Sequence, residues 1–358
     1  MGTDNKVVRK RYLIIGATIV FIILTLVVGS LAFMFYRADL NNQAEIHEYQ
    51  KYYVMITDNY KADFWQSVYE GALEVAKEND IYVDLLGQDL PGEHSCEELM
   101  KIAIASHVDG IILYANESDS MTKLINEAMD DGIPVVTLYG DNTHSDRISY
   151  VGVGGYSIGK MYGKQVINLI KEKRREDFIE SETMGERQQI KITVLATADA
   201  QDTGQNIIIT AMQDTIDQNN ATDSEFSVSI YTVDNTNAFS VEESIRDIFL
   251  NDEIPDVIVC LNELNTICAY QAVVDFNKVG DVNILGYYDS FDIVNAIDRG
   301  GVYATVSIDT WQLGEYSIEA LEDYYEFGNT SEYYLADVTL INKSNVSSYL
   351  YGEEMSDE

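Results

Sequence analysis

Residues 52–86 contain one complete β-α-β unit, and this unit constrains the fold of the chain more than any other stretch. The apolar runs Tyr52–Thr57 and Ile81–Leu86 predict two short strands. Between them, Phe64–Asn79 is predicted to be an amphipathic helix, because four apolar residues recur at the spacing of one buried stripe: Val68, Ala72, Val75 and Ala76. Two strands joined by a crossover helix lie parallel, so the unit predicts a parallel sheet covered by helices.

The turn between the first strand and the helix is predicted to face a ligand crevice, because ligands bind beyond the carboxyl ends of the strands in open parallel sheets. Asp58 and Asn59 lie in this turn. Asp63 and Gln66 have the spacing of a capping box, in which the first residue caps the helix. This cap places the aromatic pair Phe64–Trp65 in the first helical turn, beside the crevice.

The alternation of strands and helices continues through the rest of the chain, and the last strand is predicted over Leu335–Ile341. About nine β-α pairs are more than one doubly wound sheet usually carries. The sequence therefore predicts an α/β protein with two doubly wound parallel-sheet lobes.

Residues 13–36 carry no charge and are long enough to cross a bilayer as one helix. Basic residues precede this run and acidic residues follow it, which places the N-terminus in the cytoplasm and the rest of the chain outside. A cleaved signal peptide is the alternative, and the length of the apolar run disfavours it. We therefore expect a single-pass protein of the cell membrane with a cytoplasmic tail (1–12), a transmembrane anchor (13–36) and a stalk (37–51) before an extracellular binding domain.

The net charge of the chain argues against a nucleic-acid partner, and its cysteines argue against a metal site or a disulfide framework. A formal net charge of −37 leaves no basic patch for phosphate groups, so nucleic acid is not an expected partner. The three cysteines have neither metal-ligand spacing nor the pattern of a disulfide framework. We expect no metal and no cofactor.

Six short motifs occur in the order in which one known family carries them. They are Phe64–Trp65 with Glu70–Ala72, Val108–Ile112, Gly132–Thr137, Pro255–Val259, Ile284–Asp289 and Gly301–Val306. In order and content they resemble the type I periplasmic-binding-protein fold, specifically its ribose/galactose-type sugar-binding members, which serve ABC transporters. The resemblance covers about Tyr52 to Ile341.

This resemblance implies two lobes joined by three crossovers, near Val153, Ile308 and Leu335, with the ligand trapped between the lobes by hinge closure. It also implies the following division of the chain: lobe 1 at 52–153 plus 308–335, lobe 2 at 154–307 plus 336–350, and an acidic tail at 351–358.

The resemblance and the position of the crevice together imply a ligand-binding set of Asp58, Asn59, Phe64, Trp65, Tyr139, Asp141, Asn206, Asn262, Asp289 and Asp309. Phe64 and Trp65 match the aromatic pair that stacks on sugar rings in the family, and core packing is the alternative for both. The arginine that members carry after the fourth strand is absent beside Asp141, and another family arginine falls near Asn206. An arginine-poor, aspartate-rich cleft predicts a neutral sugar or polyol, or an amine-bearing compound.

One motif suggests an enzyme. Gly155–Gly159 matches the G-x-S-x-G nucleophile elbow and lies between a predicted strand and helix. The elbow fold needs a histidine after the serine in chain order, whereas all 4 histidines precede Ser157. We therefore expect no enzymatic activity and no catalytic residues, and we attribute these glycines to close packing.

Two functions remain open. The first is the substrate-binding component of an ABC importer, which presents its ligand to a permease in the membrane. The alternative is a sensor, in which the same clamp passes its ligand-bound form to a membrane histidine kinase or receptor. The genes that flank this one would distinguish the two.

Overall fold

The computed structural model describes residues 23–31, 33–34, 49–180, 189–197, 203–219, 226–235, 237–250 and 254–350. The chain divides into two compact units, Met1–Tyr49 and Gln50–Glu358. In the first unit, residues 23–31 and 33–34 are helical. The second unit contains the two sheets and their helices.

The predicted transmembrane anchor is not supported. Among the described residues, none of the helices combines the length and the apolar character that a bilayer crossing requires. Most of the stalk, the cytoplasmic tail and residues 13–22, 32, 35 and 36 of the predicted anchor lie outside the described residues. The finding contradicts the single-pass membrane location that rested on this anchor.

The described strands of the second unit form two six-stranded sheets. Sheet A has the order β11-β5-β4-β3-β1-β2, and sheet B has the order β12-β10-β9-β8-β6-β7. The strands are β1 (Lys51–Ile56), β2 (Ile81–Leu85), β3 (Gly110–Leu113), β4 (Val135–Leu138), β5 (Ser149–Val153), β6 (Ile190–Thr197), β7 (Phe226–Val233), β8 (Val257–Cys260), β9 (Asn283–Tyr287), β10 (Ala304–Ile308), β11 (Tyr333–Ala336) and β12 (Val338–Asn342).

Helices cover both sheets. They are α1 (Asp63–Glu78), α2 (Cys96–Ala105), α3 (Asp119–Asp130), α4 (Gly155–Glu180), α5 (Thr203–Gln218), α6 (Ala238–Leu250), α7 (Glu263–Asp275), α8 (Phe291–Asp298), α9 (Thr310–Phe327) and α10 (Ser347–Leu350). Strands β3, β4 and β8 are buried along their whole length, as expected of parallel strands covered on both faces.

All pairs within sheet A are parallel, and sheet B is parallel except for β12, which runs antiparallel to β10. We call sheet A with its helices lobe 1 and sheet B with its helices lobe 2. The chain passes between the two sheets after β5, after β10 and after β11. The predicted α/β fold with two lobes is thereby confirmed.

The last strand differs from the prediction. Leu335–Ile341 is not one strand but parts of β11 and β12, which belong to different sheets and are separated by Asp337 alone. The backbone of Asp337 is held at this point, because its N–H donates to Gln312 Oε1 at 2.9 Å and its carbonyl accepts from Asp309 N at 3.0 Å. The alternation of apolar residues continues through Asp337, so periodicity did not reveal the change of sheet.

The predicted capping box at Asp63 is also wrong. Helix α1 begins one residue earlier than the box requires, with Ala62 at the cap position and no side-chain capping bond. The amide of Gln66 instead donates to the carbonyl of Tyr60 at 2.5 Å. A complete capping box occurs at the start of α2, between Ser95 and Glu98. The aromatic pair still falls in the first turn of α1.

Glycines allow two pairs of helices to pack at close range. A Cβ atom at Gly314 of α9 would overlap the backbone of α1 at Val68, and one at Gly71 of α1 would overlap Trp311. In lobe 2, Gly159 of α4 lies in the same way against Ile208 of α5. The second glycine of the G-x-S-x-G motif therefore lies at a helix–helix contact, whereas the sequence led us to expect close packing of a strand end on its helix.

Candidate functional site

The carboxyl ends of the central strands of the two lobes meet at a cleft. Aromatic side chains from both lobes lie there, and we call them the aromatic cluster: Phe64, Trp65, Tyr114 and Tyr139 from lobe 1, and Tyr287 and Tyr288 from lobe 2. Tyr114 and Tyr139 directly follow β3 and β4, and Tyr287 is the last residue of β9. The parallel topology places these positions at one edge of each sheet, which is the edge that faces the other lobe.

Two direct contacts join the lobes within the cluster. The hydroxyl of Tyr139 donates to the hydroxyl of Tyr287 at 2.7 Å. The ring of Phe64 lies edge-on to the ring of Tyr288, with centroids 5.4 Å apart and planes at 71°. Edge-on packing is a favourable arrangement of aromatic rings. The structure therefore holds the lobes together through aromatic side chains that come from sequence positions far apart.

The backbone is strained at corresponding places in the two lobes. Tyr139 has φ of 63° directly after β4, and Tyr288 has φ of 73° directly after β9. A bulky residue in the left-handed region is an outlier that costs of order 1–3 kcal/mol, and such residues cluster at functional sites. The strain turns both tyrosines into the cleft at the same point of each lobe.

Trp65 forms part of the wall of lobe 1. Its side chain is only 5% exposed, and its indole N–H donates to Asp58 Oδ1 at 2.7 Å. Its ring lies edge-on to Tyr114, with centroids 5.4 Å apart. Phe64 is less buried and stands between Trp65 and Tyr139, with its centroid 4.8 Å from that of Tyr139. Phe64 therefore offers the more accessible ring of the predicted pair.

Asp58 and Asn59 lie in the turn between β1 and α1, beyond the carboxyl end of β1. Asp58 is anchored by Trp65, and the pKa of its carboxyl is raised because surrounding protein partly desolvates it. Asn59 is exposed, and its side-chain oxygen accepts from the backbone N–H of Lys61 at 3.3 Å. A role of the two residues in ligand binding stays a prediction.

Burial in the cluster also changes the acidity of the tyrosines. Burial, and to a smaller extent the neighbouring Tyr287, raises the pKa of Tyr139 well above its ordinary value. Burial, and to a smaller extent the charge of Asp289, raises the pKa of Tyr288. Both hydroxyls are therefore neutral over the physiological range, and each can donate and accept hydrogen bonds.

Asp141 is occupied by contacts within lobe 1. Its carboxylate forms a bidentate ion pair with Arg147, with Nε–Oδ1 at 2.5 Å and Nη2–Oδ2 at 2.7 Å, and it accepts from Thr137 Oγ1 at 2.7 Å. The guanidinium of Arg147 lies over the rings of Tyr150 and Tyr333. The sequence did not predict Arg147 as the partner of Asp141, because the two residues lie six positions apart in an irregular loop.

Three predicted residues of lobe 2 and the adjoining crossover hold neighbouring groups at the cleft edge. Asn262 caps α7 by accepting from Asn265 N at 2.8 Å, and Asp309 caps α9 by accepting from Gln312 N at 3.0 Å. Asp289, two residues beyond the end of β9, accepts from Ser307 Oγ at 2.7 Å. Each retains further polar capacity, so a role in ligand binding stays a prediction.

Asn206 lies apart from the contacts described above. It is exposed in the first turn of α5, and the structure describes no contact between it and the aromatic cluster. Its predicted role in ligand binding rests on the resemblance alone.

Carboxylates surround the cluster, and several were not in the predicted set. Burial raises the pKa of Glu263 in the first turn of α7, and the nearby charges of Asp63, Asp289 and Asp292 raise it further. Asp63 belongs to lobe 1 and the other three to lobe 2. Like charges on opposite sides of the cleft disfavour an anionic ligand. Within the described residues, these and other His, Cys, Asp and Glu side chains form no group of three that could hold a metal ion.

The residues that sequence reasoning missed are Tyr114, Tyr287, Tyr288 and Glu263. A signal existed for two of them, since Gly286–Asp289 was among the motifs that carried the resemblance. Tyr114 and Glu263 also lie directly after buried strands or in first helical turns. The general rule that ligand residues follow the strands of a parallel sheet would have found them.

Two α/β lobes with a shared cleft at the carboxyl ends of their strands define the class of bilobed binding proteins. Residues 53–329 match the family described as Periplasmic binding protein domain, and the chain belongs to this family. No curated protein sequence matches the chain.

Solved structures share the fold over the same region. GanP, a glucose-galactose binding protein from Geobacillus stearothermophilus, is 19% identical with a TM-score of 0.69, over 83% of this chain and 99% of that chain. XylFII is 27% identical with a TM-score of 0.65, over 83% of this chain and 100% of that chain. A chain of the XylFII-LytSN complex is 25% identical with a TM-score of 0.66, over 83% of this chain and 100% of that chain.

Proposed function

We propose that the chain is a non-enzymatic solute-binding protein that holds a small neutral sugar or polyol between its two lobes. The observation that carries this proposal is the aromatic cluster, to which both lobes contribute at the carboxyl ends of their strands. Similar structures include proteins named for binding glucose and galactose and for binding arabinose, and one that contains D-allose. Their likeness to this chain supports the fold, and the ligand class rests on the chemistry of the cleft.

The side chains at the cleft suit a polyhydroxylated ligand. Aromatic rings pack against the C–H faces of sugar rings, and Phe64 offers a half-buried ring for this purpose. The hydroxyls of Tyr139 and Tyr287 bind each other at 2.7 Å, and each can exchange this partner for a ligand hydroxyl. The carboxylate of Asp289 accepts hydrogen bonds from hydroxyl donors, and bonds to a charged acceptor are the stronger kind.

The electrostatics of the cleft favour a neutral ligand over an anion. The guanidinium of Arg147 is engaged by Asp141 and therefore does not offer a free cation. Glu263 and Asp63 add negative charge from opposite lobes. The cleft therefore offers an anion no free cation at Arg147 and repels it through the carboxylates of Glu263 and Asp63, whereas carboxylates accept hydrogen bonds from the hydroxyl groups of a monosaccharide.

For the partner of the ligand-bound form there are two candidates. One is the permease of an ABC importer, to which the protein delivers its sugar. The other is a sensor kinase or receptor, and the likeness to XylFII at 27% identity and to the XylFII-LytSN complex favours it. In both cases the closed clamp is the form that the partner recognises.

Isothermal titration calorimetry on the full chain tests the ligand proposal. The probes are neutral pentoses and hexoses, including glucose, galactose, arabinose and allose, with gluconate as an anionic comparison. We expect saturable binding of one group of neutral monosaccharides. Phe64→Ala and Asp289→Asn should each weaken that binding at least about tenfold, which is 1.4 kcal/mol. Phe327→Ala is the matched control, because Phe327 is 62% exposed at the far end of α9.

A hit that binds both cleft variants as tightly as the wild type would show that the cluster is not the ligand site. Binding of gluconate alone would refute the neutral-ligand proposal. For the partner, genes for a permease and an ATPase beside this gene would support import. A histidine kinase gene with its response regulator would support sensing. If neither set of genes lies beside this gene, that result would argue against both partners.

A further inference from the structure

Lobe 2 contains a cavity of about 550 Å³ at the edge of its sheet opposite the cleft. Asn283 begins β9, Tyr303 precedes β10, and Asn342 ends the antiparallel β12, so the cavity lies at the amino ends of the parallel strands. Ligand pockets commonly have volumes of about 300–1,000 Å³. The cavity is therefore large enough for a small molecule and separate from the aromatic cluster.

The floor of the cavity is apolar and firmly packed. Val282, Ile297 and Val302 line it and are 4%, 1% and 2% exposed. Polar side chains from α4, from β9 and from the segment after α8 surround this floor. An apolar surface with a few convergent polar groups is the usual composition of a small-molecule site.

Gln165 of α4 is the strongest single indication of a ligand. Its side chain lines the cavity and is 9% exposed, yet its amide forms no hydrogen bond with any residue that the structure describes. Most of the Gln165 side chain is therefore fixed by packing while its unpaired amide faces the cavity. A ligand in the cavity can accept from and donate to this amide without breaking a bond within the protein.

The charges around the cavity are balanced, in contrast to the rest of the chain. Two of its lining residues are acidic, Glu172 and Asp298, and two are basic, Arg299 and Lys343, whereas the whole chain has 60 acidic and 23 basic residues. Lys343 and Asp298 form an ion pair with Nζ and Oδ1 at 2.7 Å. One acidic residue, Glu172, and one basic residue, Arg299, therefore remain for a ligand.

The remaining cation and anion are weakly engaged. The guanidinium of Arg299 forms no ion pair or hydrogen bond within the described residues. Glu172 accepts only a long bond from the Tyr303 hydroxyl, at 3.4 Å to each carboxylate oxygen. A ligand that carries one carboxylate and one ammonium group would satisfy both, since arginine binds carboxylates bidentately.

We propose that this cavity, formed by Gln165, Glu172, Arg299 and the apolar floor, is a second binding site that takes a small zwitterion of the amino-acid class. The carboxylate of the ligand pairs with Arg299, its ammonium group with Glu172, and Gln165 binds a polar atom between them. The site is independent of the sugar proposal, because it shares no residue with the cleft.

The first test is a binding screen on the full chain. The twenty L-amino acids are added singly at millimolar concentration, and hits in a thermal-shift assay are measured by calorimetry. We expect at least one hit, and Arg299→Ala should weaken it at least about tenfold because the variant loses a charge-assisted bidentate contact. Arg246→Ala is the matched control, since Arg246 is an exposed arginine of lobe 2 on α6 that pairs with Glu242 at 3.7 Å and does not line the cavity.

The second test separates a ligand role of Gln165 from a structural one. Gln165→Leu keeps the volume of the side chain and breaks no hydrogen bond within the described residues. We therefore expect its unfolding temperature without added amino acid to stay equal to that of the wild type or to rise, while the amino-acid affinity falls at least about tenfold. A fall in the unfolding temperature together with unchanged affinity would indicate a structural role and overturn the proposal.

Two further results would also overturn it. One is the absence of any stabilising amino acid, and the other is a hit that binds Arg299→Ala and Gln165→Leu as tightly as the wild type. Phe64→Ala in the cleft should leave the affinity of the hit unchanged. If this variant abolishes binding, the amino acid occupies the cleft and not the cavity.

Discussion

Replacing Tyr287 by phenylalanine tests whether the aromatic cluster holds the lobes together. Tyr287 is 4% exposed, and its hydroxyl accepts the hydrogen bond from Tyr139 that joins the lobes at 2.7 Å. Phenylalanine retains the ring and its packing, so the variant removes the hydroxyl group only. We expect the open form of the clamp to become more populated in the absence of ligand.

The magnitude follows from the chemistry of the lost bond. A hydrogen bond between neutral groups contributes a net stabilisation of about 0.5–1.5 kcal/mol. A change of about 1 kcal/mol alters an equilibrium ratio about fivefold. The hydroxyl of Tyr139 also loses its partner in the closed form, and burial of an unpaired hydroxyl adds to the cost. The ratio of open to closed molecules should therefore rise about fivefold or more.

Single-molecule fluorescence energy transfer measures this ratio directly. One dye is attached at Glu127 on α3 of lobe 1 and the other at Glu243 on α6 of lobe 2, both exposed positions. Cys96 is replaced by serine, because it is only half-buried and would compete for the dyes. The readout is the fraction of low-transfer molecules in buffer without sugar.

Tyr162→Phe is the matched control. Tyr162 is fully buried, and its hydroxyl donates to the carbonyls of Cys260 at 3.1 Å and Gly286 at 2.8 Å, both within lobe 2. This variant should lower the free energy of unfolding without changing the ratio of open to closed molecules. An unchanged ratio in Tyr287→Phe, or an equal change in both variants, would refute the role of the Tyr139–Tyr287 bond.

The remaining predictions concern pH, a buried amide and helix packing. Burial and nearby carboxylates raise the pKa of Glu263, so the folded protein binds this proton more tightly than the unfolded chain does. The free energy of unfolding should therefore rise as the pH falls through that raised pKa toward 4.5. Glu263→Gln should not show this rise when its free energy of unfolding is measured by urea titration at each pH. Identical pH profiles for the variant and the wild type would contradict the prediction. Asn265 is fully buried, and neither atom of its side-chain amide has a hydrogen-bond partner among the described residues. Asn265→Leu should therefore stabilise the protein by about 1–3 kcal/mol in calorimetry. A lower unfolding temperature of the variant would show that the amide has a partner. Gly314→Ala should destabilise by about 1–3 kcal/mol, because its Cβ would overlap the backbone of α1. Gly29→Ala, with no atom within 4 Å of the added Cβ, should not destabilise, and equal effects would refute the packing argument.

Much of the fold could be predicted because its signals are local. The helix predicted over Phe64–Asn79 agrees with α1 to within one residue at each end, and the strand predicted over Ile81–Leu86 agrees with β2 to within one residue. Two details failed because they depend on contacts that periodicity does not record. The start of α1 is set by the turn before it, and the change of sheet at Asp337 is set by backbone bonds to Asp309 and Gln312.

The candidate site was less accessible to sequence reasoning, because it is assembled from both lobes. Tyr139 and Tyr287 are 148 positions apart, and their pairing depends on how two sheets face each other. Phe64 was found because it lies in a first helical turn beside a strand end. The engagement of Asp141 with Arg147 could not be read from the sequence, since a loop and not a periodic element brings them together.

The separation of β5 from β11 along the chain has a consequence for synthesis. β11 pairs with β5, and residues 153 and 333, which end the first strand and begin the second, are 180 positions apart. At a translation rate of about 5–20 residues per second, β5 waits about 9–36 s for its neighbour to leave the ribosome. During that time its backbone groups form an open sheet edge, which is a template for aggregation. The same C-terminal strand pair also supplies β12, the neighbour of β10 in sheet B, so one late event covers β5 and β10 together, and a nascent chain that stops before residue 333 leaves both strands without these partners.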